Sequence, residues 1–107
     1  MMKIIDIGHN NYSVDKAISV LETEVSSAMC SNKIRSIKII HGHGSGTLRK
    51  AVHQWCQEQK GRFRDVILGE EHDLFHHNSI AMRQDSGLPD DRDFDRRNRA
   101  VTYLWLV

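Results

Sequence analysis

The stretch Ile39–Val52, IIHGHGSGTLRKAV, decides how this chain is read. An apolar, β-branched run ends at Ile40. Glycines then alternate at 42, 44 and 46. A helical pattern starts at Thr47 and carries Leu48, Ala51, Val52, Trp55 and Cys56 on one stripe. Strand, glycine turn and helix together form the kind of junction at which open α/β sheets take ligands. The glycines let a ligand approach the backbone closely. The unpaired amides of the helix start attract anions, so Gly42, His43, Gly44, Gly46, Thr47, Arg49 and Lys50 are candidate phosphate contacts. Arg49 can either grip a phosphate with two hydrogen bonds or pair with a nearby carboxylate. His41 stands at the strand end. An imidazole titrating near neutrality suits proton transfer; its plainer use is to hydrogen-bond the loop.

Two familiar glycine patterns fit poorly. A P-loop needs a lysine and then a hydroxyl directly after its last glycine, and here Gly46 is followed by Thr47 and Leu48. The dinucleotide fingerprint needs its third glycine one residue later.

Outward from this stretch, the pattern is regular. Lys3–Ile7 (KIIDI) reads as a buried strand and Gly8–Tyr12 as a turn. Ser13 is an N-cap for an amphipathic helix from Val14 to about Cys30. Ile34–Ile40 is the second strand and Thr47 to about Lys60 the second helix, with Gly61 placed to end it. Phe63–Leu68 and Ala100–Val107 are strands. Gly69–Arg99 is long and polar, and is read as a loop or insertion with short pieces of structure. A stretch of that length is usually functional or disordered. The order β-α-β-α-β, excursion, β predicts an α/β (α+β) two-layer sandwich: a mixed four-stranded sheet with two helices on one face, as right-handed crossovers require.

The chain has 107 residues and a formal charge of +1, which fits one domain spanning 1–107. Near-neutrality argues against a polyanion binder driven by bulk charge. Charge is unevenly placed, however. Lys33, Arg35, Lys38, Arg49 and Lys50 flank the glycine run, Arg62 and Arg64 follow the second helix, and Arg92, Arg96, Arg97 and Arg99 precede the last strand. No segment reads as a membrane span or a secretory signal, so a cytoplasmic location is expected. Cys30 and Cys56 read as small packing residues rather than a disulfide. His72, His76 and His77 beside Glu71 and Asp73 invite a metal reading, weakened by the lack of cysteines and of a clear fourth ligand. Trp55 reads as core; Trp105 could face either side of its strand.

The run His41, Gly42, His43, Gly44, Ser45, Gly46, Thr47, Leu48, Arg49 fills every position of an HGxGxGxLR signature. In this it resembles the small MutS-related (Smr) domain family, as a stand-alone member. Ile5, Asp6, Ile7, Gly8, His9 is similar to the family's LDLHG strand end, with His9 displaced by the inserted Gly8. Thr102 matches the closing segment, whose glycines are missing. The resemblance implies a fold like the C-terminal domain of translation initiation factor 3. It also implies an endonuclease that nicks DNA or cleaves RNA, with His41, Asp6 and His9 as catalytic candidates. Asp6 could orient an imidazole, help hold Mg²⁺ or Mn²⁺, or simply close a turn. The alternative functions are a non-catalytic nucleic-acid-binding module and an adaptor for the ribosome or a targeting protein.

Overall fold

Strand-forming residues and helical stripes sort themselves around one sheet. The computed structural model describes all 107 residues. The elements are β1 (Met2–Asp6), α1 (Val14–Met29), β2 (Ser36–Ile40), α2 (Thr47–Gln57), β3 (Phe63–Leu68), α3 (His77–Asp85) and β4 (Val101–Leu106), with a 3-10 turn at Gly69–Glu71 after β3. The sheet order is β1-β2-β4-β3. β1 and β2 are parallel, while β4 runs antiparallel to both of its neighbours. The expected mixed four-stranded sheet is therefore present, with the last strand in sequence inserted between β2 and β3.

Alternation along the strands makes two faces. Ile5, Ile7, Ile37, Ile39, Leu104 and Leu106 pack in one cluster with Ala17, Leu21, Val25 and Ala28 of α1 and Val52, Trp55 and Cys56 of α2. Ser13 caps α1 by accepting from the Lys16 amide at 3.2 Å, a contact of a kind that contributes about 1 kcal/mol. The opposite face carries Ile67, Val101, Tyr103 and Trp105, covered by Met82 of α3. Trp55 and Trp105 are both core residues.

Three expectations are refined. α2 ends at Gln57 rather than near Lys60, and Gly61, at φ +78°, serves the turn into β3. The Gly69–Arg99 excursion contains α3. That helix makes a third layer, opposite α1 and α2, so the two-helix face is only one of two covered faces. The metal reading of the histidines also gives way. His72 is fully buried, with Nδ1 2.8 Å from Ser79 Oγ. His76 caps α3, its Nδ1 accepting from the Ser79 amide. Both rings are structural.

The excursion is pinned by charge. Lys38 of β2 lies on the α3 face, almost wholly buried, and its ammonium bridges Asp91 and Asp93. Tyr103 donates to the other Asp91 oxygen. Burial works against the charge on Lys38, but the two carboxylates outweigh it and hold its pKa above the usual value. A buried ion pair such as this withstands desolvation only because each charge is partnered.

Candidate functional site

The inward row of β2, Ile37 and Ile39, continues one step further into His41. That parity sends the imidazole under α2, and the residue is only 4% exposed. The amides of His41 and Gly42 both donate to the Ala100 carbonyl at 3.0 Å. On the ring, Nε2 lies 2.9 Å from Thr102 Oγ1 and Nδ1 lies 3.2 Å from the Gly42 carbonyl. His53 of α2 approaches the same hydroxyl at 3.3 Å and meets the His41 ring edge-on. Burial pushes the His41 pKa down to about 4; the neighbouring His53 and Arg49 push the same way, and the Gly42 carbonyl and Glu70 only partly oppose them. The ring is neutral at physiological pH and fully engaged. Of the two uses open to His41, the structure shows the hydrogen-bonding one, a clamp between the glycine loop and β4.

Of the two uses open to Arg49, the structure shows the carboxylate pair. Its Nη2 donates to Glu70 Oε2 at 2.6 Å, with Arg99 Nε 3.7 Å from the same oxygen. The guanidinium is held by Glu70 through Nη2 while its Nε has no hydrogen-bond partner, and the side chain lines the hollow beside the glycine loop. The loop itself keeps the expected form. Gly42, Gly44 and Gly46 all take left-handed backbone, with φ between +40° and +86°, where a side chain would cost roughly 1–2 kcal/mol. Gly46 begins α2 without a side-chain cap. Leu48 and Arg49 therefore present their amides outward, as the first turn of any helix does.

At the end of β1 the chain makes a turn that brings Asp6 and His9 together. Asp6 Oδ1 accepts from the amides of Gly8 and His9 at 2.9 and 3.3 Å. Asp6 Oδ2 lies 2.8 Å from His9 Nδ1. Burial raises the Asp6 pKa, but the contacts from His9 and Gly8 prevail and hold it below the usual carboxylate range. The carboxylate therefore closes the turn and orients an imidazole at once. The inserted Gly8 makes the close approach of the two strand ends possible. A Cβ there would stand 2.7 Å from the His41 carbonyl carbon. His9 remains well exposed, at 73% of its side chain.

His9, Tyr12, His41 and the glycine loop line a cavity of about 510 Å³. Two further hollows adjoin it. One of about 480 Å³ runs past His43, Ser45, Thr47, Lys50 and Arg99. The other, about 680 Å³, runs past His43, Arg92, Arg96, Arg97 and Arg99. The basic residues ahead of the last strand thus stand beside the glycine loop. His53 and Glu70 escaped the sequence reading. His53 lies one helical turn from Arg49 on α2, which is a weak signal; Glu70, distant in sequence, has none.

The donor set does not build a metal centre. No group of three or more His, Cys, Asp or Glu side chains converges anywhere in the chain. Asp6 stands without a second carboxylate, and both its oxygens are already engaged.

A glycine loop after the second of three parallel strands, with an antiparallel strand inserted beside it, defines an α+β domain built around a strand-end pocket. A family model of the Smr domain matches residues 9–73, and the chain belongs to that family. It is 32% identical over 56 residues to Endonuclease MutS2 of Brevibacillus brevis, covering 52% of this chain and 7% of that protein. The chain therefore corresponds to a small part of the relative's length. The crystal structure of the Smr domain of Thermus thermophilus MutS2 superposes with a TM-score of 0.64 over 98% of both chains at 16% identity, a likeness of fold. No helix is long and apolar enough to cross a membrane.

Proposed function

We propose that this chain is an Smr endonuclease that cleaves the phosphodiester backbone of DNA or RNA, with Asp6 and His9 as its proton-transfer pair. The observation that carries this reading is the 2.8 Å contact between Asp6 Oδ2 and His9 Nδ1, at the rim of the cavity shared with the glycine loop. Asp6 fixes the tautomer, so the proton sits on Nδ1 and the exposed Nε2 is the base. This is the arrangement that lets a carboxylate stabilise an imidazolium as it forms. His9 Nε2 takes the proton of the attacking oxygen, which is water on DNA or the 2′-hydroxyl on RNA. That oxygen forms its bond to phosphorus while the bond to the leaving oxygen breaks, and the proton can return to the leaving group. The free amides at the start of α2 and the loop accept the charge on the non-bridging oxygens.

His41 acts through the loop it clamps, since its ring is buried and neutral, and is a positioning residue. The name of the Brevibacillus brevis relative, an endonuclease, agrees with this reading. The test is cleavage of supercoiled plasmid and of a structured RNA with EDTA, Mg²⁺ or Mn²⁺, comparing wild type with His9→Ala, Asp6→Asn and His41→Ala. Cleavage abolished in His9→Ala, with polynucleotide binding retained, supports the assignment. Binding without cleavage by the wild type under every condition replaces it with a non-catalytic binding module.

A further inference from the structure

The segment from Ser86 to Arg99 holds as many acids as bases: Asp90, Asp91, Asp93 and Asp95 against Arg92, Arg96, Arg97 and Arg99. As a sequence it is neutral. The fold separates the signs. Asp91 and Asp93 turn inward onto Lys38, while all four arginines are exposed. What remains on the outside is four arginines against Asp90 and Asp95, a net basic ridge whose arginines line one hollow that runs to His43 and the glycine loop. The ridge is built, not loose. Asp95 and Arg97 hold left-handed backbone on either side of Arg96. Asn98 donates to Asp93, and the Ala100 amide donates back to Asn98.

A second feature lies against this ridge. The Asp95 amide donates to the His72 carbonyl at 2.8 Å, and Asp95 Oδ1 accepts from the Leu74 amide. The tip Asp73–Phe75 therefore runs beside the arginines. Asp73 fixes the tip by accepting from the Phe75 amide at 2.9 Å. This turn presents Phe75 at 93% exposure and Leu74 at 60%. At that exposure the ring contributes little to the core. An exposed ring on a turn tied to an arginine-bearing segment is a combination suited to unpaired nucleotides: bases stack on the ring and phosphates follow the charge.

We infer that the ridge Arg92–Arg99 and the Phe75 tip form a binding track for a single-stranded segment of nucleic acid, leading into the glycine-loop cavity. The inference rests on the nuclease reading and narrows its substrate to polynucleotides with an unpaired strand. A fully paired duplex would engage only the arginines, because its bases are already stacked.

The test uses the full chain carrying His9→Ala, so that binding is read without cleavage. Fluorescence anisotropy is measured with a labelled single strand of about 15 nucleotides, near the upper span of a small single-strand site, and with the blunt duplex of equal length. The single strand is expected to bind more tightly. Phe75→Ala should weaken it roughly tenfold, a typical stacking loss, and leave the duplex unchanged. Phe75→Trp should restore it. Arg96→Ala with Arg97→Ala should weaken both ligands and flatten the salt dependence by about two units of slope. Phe75 is almost wholly exposed, so its variants should fold, as circular dichroism can check. Unchanged single-strand affinity in Phe75→Ala, or equal loss on both ligands, overturns the track while leaving the nuclease reading standing. A wild-type chain that cleaves nothing and binds neither ligand overturns both.

Discussion

Thr102 Oγ1 sits 2.9 Å from His41 Nε2, joining the glycine loop to β4 through one buried hydroxyl. Thr102 and His41 are 0% and 4% exposed. A polar pair in such a place stabilises only while both members are satisfied, because an orphaned group keeps its full desolvation penalty.

Thr102→Val removes that partner while keeping the side chain's shape. It should destabilise the fold by about 1–3 kcal/mol, whereas Thr102→Ser should cost less because the hydroxyl remains. Urea denaturation of the two variants against wild type reads the difference.

His41 and His72 also predict a pH dependence. Burial lowers both to about 4 in the folded chain, below the value near 6.5 expected when unfolded. A histidine depressed by folding contributes stability that is complete above its unfolded pKa. Between pH 6.5 and 4 the unfolded chain binds the extra protons, and that stability is lost. Each ring can contribute up to about 1.4 kcal/mol per pH unit across this window. Equilibrium unfolding between pH 7.5 and 4 should show the fall, and His41→Gln should make it shallower. An unaltered slope in that variant would mean that His41 is not the group responsible.

Lys38→Met leaves Asp91 and Asp93 buried without their cation. Breaking one side of such a pair typically costs about 3–5 kcal/mol. The segment from Asp90 to Arg97 should become open to proteolysis before the rest of the chain does. Limited trypsin digestion, with cuts mapped by mass spectrometry, would register early cleavage after Arg92, Arg96 and Arg97.

Gly8→Ala drives a Cβ into the His41 carbonyl, at 2.7–2.9 Å. One strand end must shift, at a cost of roughly 1–3 kcal/mol. The Asp6–His9 pair hangs from that turn, so cleavage should fall by more than the loss of folded protein explains. Activity per folded molecule, normalised by circular dichroism, is the readout.

The core of the fold was legible because it rests on local periodicity. KIIDI, IRSIKII and AVTYLWLV are β-branched and apolar, and Ser13 announces α1. The HGxGxGxLR run marks the loop in the same way. α3 was not legible, since its buried anchors are only Ser79 and Met82 and its cap is His76, an unusual residue for that position. What holds the excursion in place is Lys38 reaching Asp91 and Asp93 across more than fifty residues, and no local pattern encodes such a pairing. The same limit applies at the site. Parity along β2 could have turned His41 inward, but the partner of Arg49 is an acid on the far side of a strand. Asp6 and His9 do meet, despite the inserted residue, because the turn Gly8–His9 wraps around the carboxylate.

The place of β4 sets a schedule for the chain's assembly. It comes last among the strands yet lies in the interior of the sheet, so β1 and β2 stay separated from β3 until Val101–Leu106 arrives between them. A ribosome will have made every loop and cavity-lining residue before the strand that unites them emerges. The Thr102 hydroxyl comes with that strand, and so does the Ala100 carbonyl that fastens the glycine loop. A chain stalled short of this point should have no formed pocket at all, so a partial copy of the domain should be inert toward the nucleic acids that surround its synthesis.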